Sequence, residues 1–158
     1  MQIIRKRAIV EDDFVHIEDG AELPSGGKII VTLARYLVEK DSLLAAFTLG
    51  VRIQSDKLPK DIPELHRLAL VAIEFPRFTD GRGYSIAKLL RQREKFTGEI
   101  RAVGWVLRDN LLFMERCGVD AFEVQPGKPL ESAVQAFAEL EVPYQATVQD
   151  PRPLYRRR

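Results

Sequence analysis

The stretch PRFTDGRGYS, residues 76–85, holds the densest group of side chains that could do chemistry. Its two arginines supply guanidinium groups that match the geometry of an oxyanion. Its two glycines permit positive φ, so that backbone N–H groups can turn toward one point beside the positive end of a following helix. The pattern predicts a pocket for a small anion. Its expected ligand-binding residues are Arg77, Thr79, Asp80, Gly81, Arg82, Gly83, Tyr84 and Ser85.

A plainer interpretation of the same stretch stays open. Thr-Asp-Gly-Arg-Gly is also typical of an ordinary tight turn, in which Asp80 closes an Asx-turn and Ser85 caps the helix. The spacing matches neither the glycine fingerprint of a dinucleotide fold nor the Gly-Lys-Ser/Thr ending of a phosphate-binding loop.

A second polar segment, residues 104–110, follows the next predicted strand. Arg108 could complete the anion clamp there, and Trp105 could line the pocket or contact a partner. Asp109 either caps a helix or joins Asp80 as a candidate catalytic acid–base pair, which requires a substrate that holds the two carboxylates close together. Arg101 lies inside a predicted strand, and its charge needs a partner such as Glu74 or Glu99.

The elements that must position these loops are short apolar runs that alternate with segments of helical period. This alternation predicts an α/β fold, which we expect to be an open, mostly parallel sheet of about five βα units with a short N-terminal β-hairpin. The hairpin turn is placed at residues 11–13. The predicted strands are 28–32, 51–54, 70–75, 100–104 and 121–124. The predicted helices begin near residues 33, 61, 84, 108 and 129, and the last includes Phe137 and Leu140.

Composition narrows the class of protein further. The 158 residues carry 24 Lys and Arg against 23 Asp and Glu, a balance that gives no pull toward nucleic acid. No apolar run reaches the roughly 18 residues of a membrane span, and no signal peptide is visible. We therefore expect a cytoplasmic protein with one α/β domain over residues 1–150 and a basic tail over residues 151–158. Self-association as a homo-oligomer is plausible.

Few residue types suited to metals or redox chemistry are present. One cysteine, Cys117, excludes a cysteine-rich zinc site, a redox cysteine pair and a cysteine-ligated iron–sulfur cluster. The histidines, His16 and His66, are too few for a multi-histidine metal centre. We expect no metal and no cofactor.

Four segments, FPRFTDGRGYSIAKLLR, GEIRAVG, VLRD and RCGVDAF, resemble a bacterial family of unknown function. Its members are commonly labelled as putative oxidoreductases or as proteins probably involved in sulfite reduction. The resemblance extends over residues 28–124. It implies a role in assimilatory sulfur metabolism beside a sulfite reductase, and it assigns no catalytic residue.

Three functions follow as hypotheses. The first is an accessory protein of sulfite reduction that binds a small oxyanion or docks on the sulfite reductase. The second is an enzyme that acts on a small anionic sulfur or phosphate metabolite by acid–base chemistry. The third is a flavin-dependent oxidoreductase, although the chain carries no flavin or nicotinamide fingerprint.

Overall fold

The computed structural model describes residues 1–77, 79–138, 146–148, 150–153 and 156. Within them lie eight strands and four α-helices. The strands are β1 (Gln2–Arg5), β2 (Ala8–Glu11), β3 (Phe14–Ile17), β4 (Lys28–Thr32), β5 (Thr48–Ile53), β6 (Leu70–Phe75), β7 (Glu99–Gly104) and β8 (Ala121–Phe122). The helices are α1 (Leu33–Ala46), α2 (Arg82–Gln92), α3 (Leu111–Arg116) and α4 (Leu130–Gln135).

All eight strands join one mixed sheet in the order β2-β1-β8-β7-β6-β5-β4-β3. The α/β class is confirmed, but the expectation of a mostly parallel sheet of five βα units is wrong. β1 pairs antiparallel with both of its neighbours, and β3 joins β4 without an intervening helix. Residues 59–61 and 65–67 form only single 3₁₀ turns between β5 and β6, where the sequence predicted a helix.

The sheet is strongly curled. β3 and β8 are five strand spacings apart in the pairing order, which would be about 24 Å in a flat sheet. Yet His16 Nε2 on β3 lies 2.9 Å from Oε1 of Glu123, the residue that follows β8. The concave face encloses a small apolar group formed by Phe14, Ile30, Leu70, Ala72 and Val103. The larger core lies on the other face, beneath the helices.

The N-terminal hairpin forms, but its turn is not at residues 11–13. β1 and β2 pair through a two-residue turn at Lys6 and Arg7, which both have positive φ (49° and 64°). This is the turn type whose twist matches a hairpin. Asp12 instead begins the segment that carries the chain to β3, at the opposite end of the pairing order.

α1 begins where Thr32 caps the helix by accepting a hydrogen bond from the Arg35 amide. Leu33, Tyr36 and Leu43 are buried on the sheet, whereas Leu37 is half exposed. Phe137 lies in the 3₁₀ turn that follows α4, and its ring packs against the ring of Phe122. Leu140 lies outside the described residues. No helix among the described segments is long and apolar enough to cross a bilayer.

Candidate functional site

A cavity of about 560 Å³ opens at the carboxyl ends of β4, β5 and β6. This edge is where parallel α/β sheets bind ligands. The cavity is lined by Asp19, Thr32, Leu33, Ala34, Leu37, Arg52, Gln54, Lys57, Asp61 and Glu74. We call this opening the mouth of the sheet.

Arg52 is the principal cation of the mouth. It lies near the carboxyl end of β5, and only 22% of its side chain is exposed. Its guanidinium donates two hydrogen bonds to Glu18, at 3.1 and 2.9 Å. Glu18 follows β3 and is 68% exposed. The hydrogen bonds from Arg52 lower the pKa of Glu18, so Glu18 places an ionised carboxylate on Arg52 in the bidentate geometry of an oxyanion.

Glu74 is the principal anion of the mouth. It lies on β6 and is half-buried. Its carboxylate oxygens are open to solvent, and they make no hydrogen bond or ion pair with any residue that the structure describes. Glu74 also lines two smaller neighbouring cavities. The three cavities therefore meet at one carboxylate.

The other acidic groups of the mouth are already engaged. Asp19 accepts a hydrogen bond from the Thr32 hydroxyl, and Asp61 accepts one from the Leu58 amide at 2.9 Å. Lys57 forms an exposed ion pair with Asp56 at 3.3 Å. Arg52, whose guanidinium already holds a carboxylate, and Glu74, which has no such contact, are therefore the candidate ligand-binding groups of the mouth.

The predicted anion loop borders one of the smaller cavities. This cavity, about 250 Å³, is lined by Gln54, Ser55, Asp56, Glu74, Pro76 and Arg82. Arg82 donates to both oxygens of Asp80, at 3.0 and 2.8 Å, and its amide donates to Asp80 as well. Together with the Ser55 hydroxyl, these donors hold the pKa of Asp80 far below its usual range. Such a carboxylate is a very weak base.

The glycines of this loop play a different role from the one predicted. Neither Gly81 nor Gly83 has positive φ. Gly83 lies in the first turn of α2, where a Cβ would be 2.5 Å from the Phe75 ring. Gly83 is therefore needed for close contact between α2 and β6, and not for turning amides toward a ligand.

Four further residues of the predicted pocket, Arg77, Thr79, Tyr84 and Ser85, do not line the cavity beside the loop. Arg77, Thr79 and Ser85 are exposed. Tyr84 packs between Phe75 and Phe113, with ring centroids 5.3 and 4.9 Å away, and burial raises the pKa of its hydroxyl.

Arg108 and Asp109 lie elsewhere, although β6 and β7 are neighbours as expected. Both line a separate cavity of about 270 Å³ beside α4, and Arg108 donates to the Ser132 carbonyl at 3.0 Å. Asp80 does not line that cavity, so the structure does not bring the two candidate acid–base groups to one site. Trp105 is 41% exposed and does not line the mouth.

A buried ionic cluster lies on the concave face. Arg101 is fully buried and binds both oxygens of Asp12, at 2.7 and 2.9 Å, and one oxygen of Glu99, at 2.8 Å. It also donates to Glu123 at 2.9 Å, while Arg5 joins Asp12 to Glu99. The predicted Glu99 partner is confirmed, and Glu74 is not a partner.

His16 connects this cluster to the mouth. Its Nε2 lies 2.9 and 3.1 Å from the oxygens of Glu123, which Arg101 holds. Although burial opposes the charge of Glu123, the hydrogen bonds from His16 and Arg101 lower its pKa. His16 and Glu123 line a cavity of about 290 Å³ together with Glu18, Arg52 and Glu74. The arrangement is that of a histidine oriented by a fixed carboxylate.

Sequence reasoning missed Arg52, Glu18 and His16 as functional residues. Arg52 and Glu74 had one available signal, which is a charged residue near the end of a predicted buried strand. The pairing of His16 with Glu123 had none, because it depends on the curl of the sheet.

The structure also shows the environment of Cys117 and of the side chains that could bind a metal ion. Cys117 is free and buried, and burial raises the pKa of its thiol. In the described part of the chain, no group of three or more His, Cys, Asp or Glu side chains could hold a metal ion.

A family model described as a bacterial protein of unknown function, DUF934, matches residues 50–155, more than half of the chain. No curated protein and no solved structure matches.

Proposed function

This chain is a member of that bacterial family of unknown function, and from this premise we propose that it binds a small oxyanion, such as sulfite or sulfate, at the mouth of its curled sheet. The bidentate pairing of Arg52 with Glu18 carries the proposal. Glu18 is an exposed group at the end of a strand, and an oxyanion can replace it on the mostly buried guanidinium with the same geometry. Arg82 borders the adjoining cavity, where an anion must compete with Asp80.

Calorimetric titration with sodium sulfite and sodium sulfate at low ionic strength tests this proposal. We expect Arg52→Gln to weaken binding by about tenfold or more, since charge-assisted hydrogen bonds contribute about 1.5–3 kcal/mol. Glu18→Gln should strengthen binding, because the internal competitor loses its charge. Arg93→Gln, at an arginine that is 78% exposed at the end of α2, is the matched control. Absence of binding, or equal binding by the Arg52 variant, would contradict the proposal.

The proposal includes an accessory role in assimilatory sulfite reduction. The resemblance of segments 75–91, 98–104 and 106–109 to a family whose members are commonly labelled in this way supports this part. In this role the protein delivers or senses the oxyanion, or docks on the sulfite reductase. We expect the tagged protein, expressed in the cells that naturally contain it, to copurify with sulfite reductase. If the two proteins do not copurify at low salt, stable docking is ruled out.

Acid–base chemistry on the bound anion is a second candidate function. The His16–Glu123 pair favours it, because a carboxylate that orients a histidine toward a cavity is typical of proton-transfer sites. Titration of sulfate, which unlike sulfite exchanges no proton near pH 7, in two buffers of different ionisation enthalpy measures proton uptake by the protein on binding. We expect buffer-dependent heats that become buffer-independent in His16→Gln. Identical heats for the original protein in both buffers would exclude this candidate.

A further inference from the structure

Glu74 is the one carboxylate of the mouth lining that accepts no hydrogen bond and forms no ion pair with a described residue. Asp19 and Asp61 each accept a hydrogen bond from the chain itself. Glu74 is half-buried at the point where three cavities meet, and its oxygens face solvent. A partly desolvated carboxylate without a donor is stabilised by any cationic or hydrogen-bonding group that reaches it.

Arg52 lies close to Glu74 but does not donate a hydrogen bond to its carboxylate. The two residues lie on adjacent strands and on the same face, because Arg52 pairs with Ala72 and Glu74 is two residues further along β6. Their backbone positions are therefore about 8 Å apart. The Arg52 guanidinium binds Glu18 and forms no ion pair with Glu74. Two opposite charges thus border one cavity from strand positions about 8 Å apart.

We propose that the ligand of the mouth is a zwitterion, a small molecule that carries a protonated amine as well as the oxyanion. This inference rests on the proposed function, in which the oxyanion binds Arg52. The ammonium group donates to Glu74, and the oxyanion displaces Glu18 from Arg52. The ligand class comprises small amine-bearing sulfonates, carboxylates and phosphates. A simple oxyanion fills only half of this site.

Two sulfonates of nearly equal size test the inference. Taurine carries an ammonium group where isethionate carries a hydroxyl, and both present the same sulfonate to Arg52. In calorimetric titrations of the full chain at pH 7, we expect taurine to bind at least about tenfold more tightly than isethionate, as a charge-assisted hydrogen bond requires. Glu74→Gln should reduce this ratio to within about twofold, because taurine loses the carboxylate that its ammonium group contacts. Glu131→Gln, at an exposed residue of α4, is the matched control and should preserve the ratio.

The outcomes separate the two proposals. Equal binding of both sulfonates, or a taurine preference that persists in Glu74→Gln, overturns the zwitterion inference while the anion site stands. If neither sulfonate binds but sulfate does, the inference also fails. If no oxyanion of any kind binds, the proposed function fails and the inference fails with it. Circular dichroism of each variant verifies that the fold is intact.

Discussion

Arg101 is fully buried, yet every nitrogen of its guanidinium has a carboxylate partner. The desolvation penalty of such a charge is large, and the attraction of Asp12, Glu99 and Glu123 offsets it. These carboxylates raise the pKa of Arg101 despite its burial. The cluster therefore depends on all its members being present.

Arg101→Met should strongly destabilise the protein. The substitution leaves the Asp12 carboxylate buried without its main counter-ion, and removal of one partner from a buried pair costs about 3–5 kcal/mol. Urea unfolding monitored by circular dichroism measures the change. Arg93→Met, at an exposed site, should change the free energy of unfolding by less than about 0.5 kcal/mol. A loss below about 1 kcal/mol for Arg101→Met would contradict this account of the cluster.

The lowered pKa of Glu123 predicts that the stability of the protein depends on pH. Its pKa is lowered in the folded protein, so the unfolded state binds more protons at acid pH. The free energy of unfolding should therefore fall as the pH decreases from the ordinary glutamate range near 4.5 toward the folded-state pKa. Glu123→Gln should flatten this part of the profile, whereas Glu131→Gln should not. An unchanged slope in Glu123→Gln would contradict this assignment of the pH dependence to Glu123.

The local sequence around Arg101 predicts part of its ionic cluster. The need of Arg101 for a counter-charge and the role of Glu99 follow from their positions two residues apart on one strand. Asp12 is 89 residues away and Glu123 joins through the curl, so no local pattern indicates either of them.

Among the elements, the loop that leads from β6 to α2 shows how one motif supports two interpretations. Thr-Asp-Gly-Arg-Gly predicts an anion pocket or a tight turn, and in the structure Arg82 and its amide are bound to Asp80. Most of the strands and helices follow from periodicity. β8 ends earlier than predicted, and the segment between β5 and β6 shortens to 3₁₀ turns. Periodicity records which residues are apolar and not where backbone pairing ends, so it does not fix these lengths.

Gly83→Ala should destabilise the protein by about 1–3 kcal/mol, the usual cost of overpacking. The added Cβ would be 2.5 Å from the Phe75 ring, which Tyr84 contacts on another side. Gly81→Ala is the matched control, because Gly81 has a φ of −82° and its nearest neighbour is 3.9 Å from the new Cβ. Thermal unfolding of the two variants should differ clearly. Equal stabilities would show that α2 does not pack closely on β6.

Lys6→Asn should stabilise the hairpin by about 0.5 kcal/mol. Lys6 has a φ of 49° at an exposed turn position, where asparagine is better tolerated than lysine. Chemical denaturation measures the gain, and a loss of stability would argue against this turn geometry.

For the whole molecule, the curl of the mixed sheet is what creates the mouth. It brings the end of β3 near the ends of β5, β6 and β8, so Glu18 reaches Arg52 and His16 reaches Glu123. Sequence patterns predict strands but not the curvature of a sheet. The α/β class was therefore predictable, whereas the side chains that line the mouth were not.

The most direct test of the anion site is to map the backbone amide resonances of ¹⁵N-labelled protein during titration with sulfate. We expect the largest shifts at residues 18–19, 52–54 and 74, which surround the mouth. The same titration of Arg52→Gln should abolish these shifts. Shifts confined to residues 79–85, or no saturable shifts at all, would contradict the assignment of the site to the mouth.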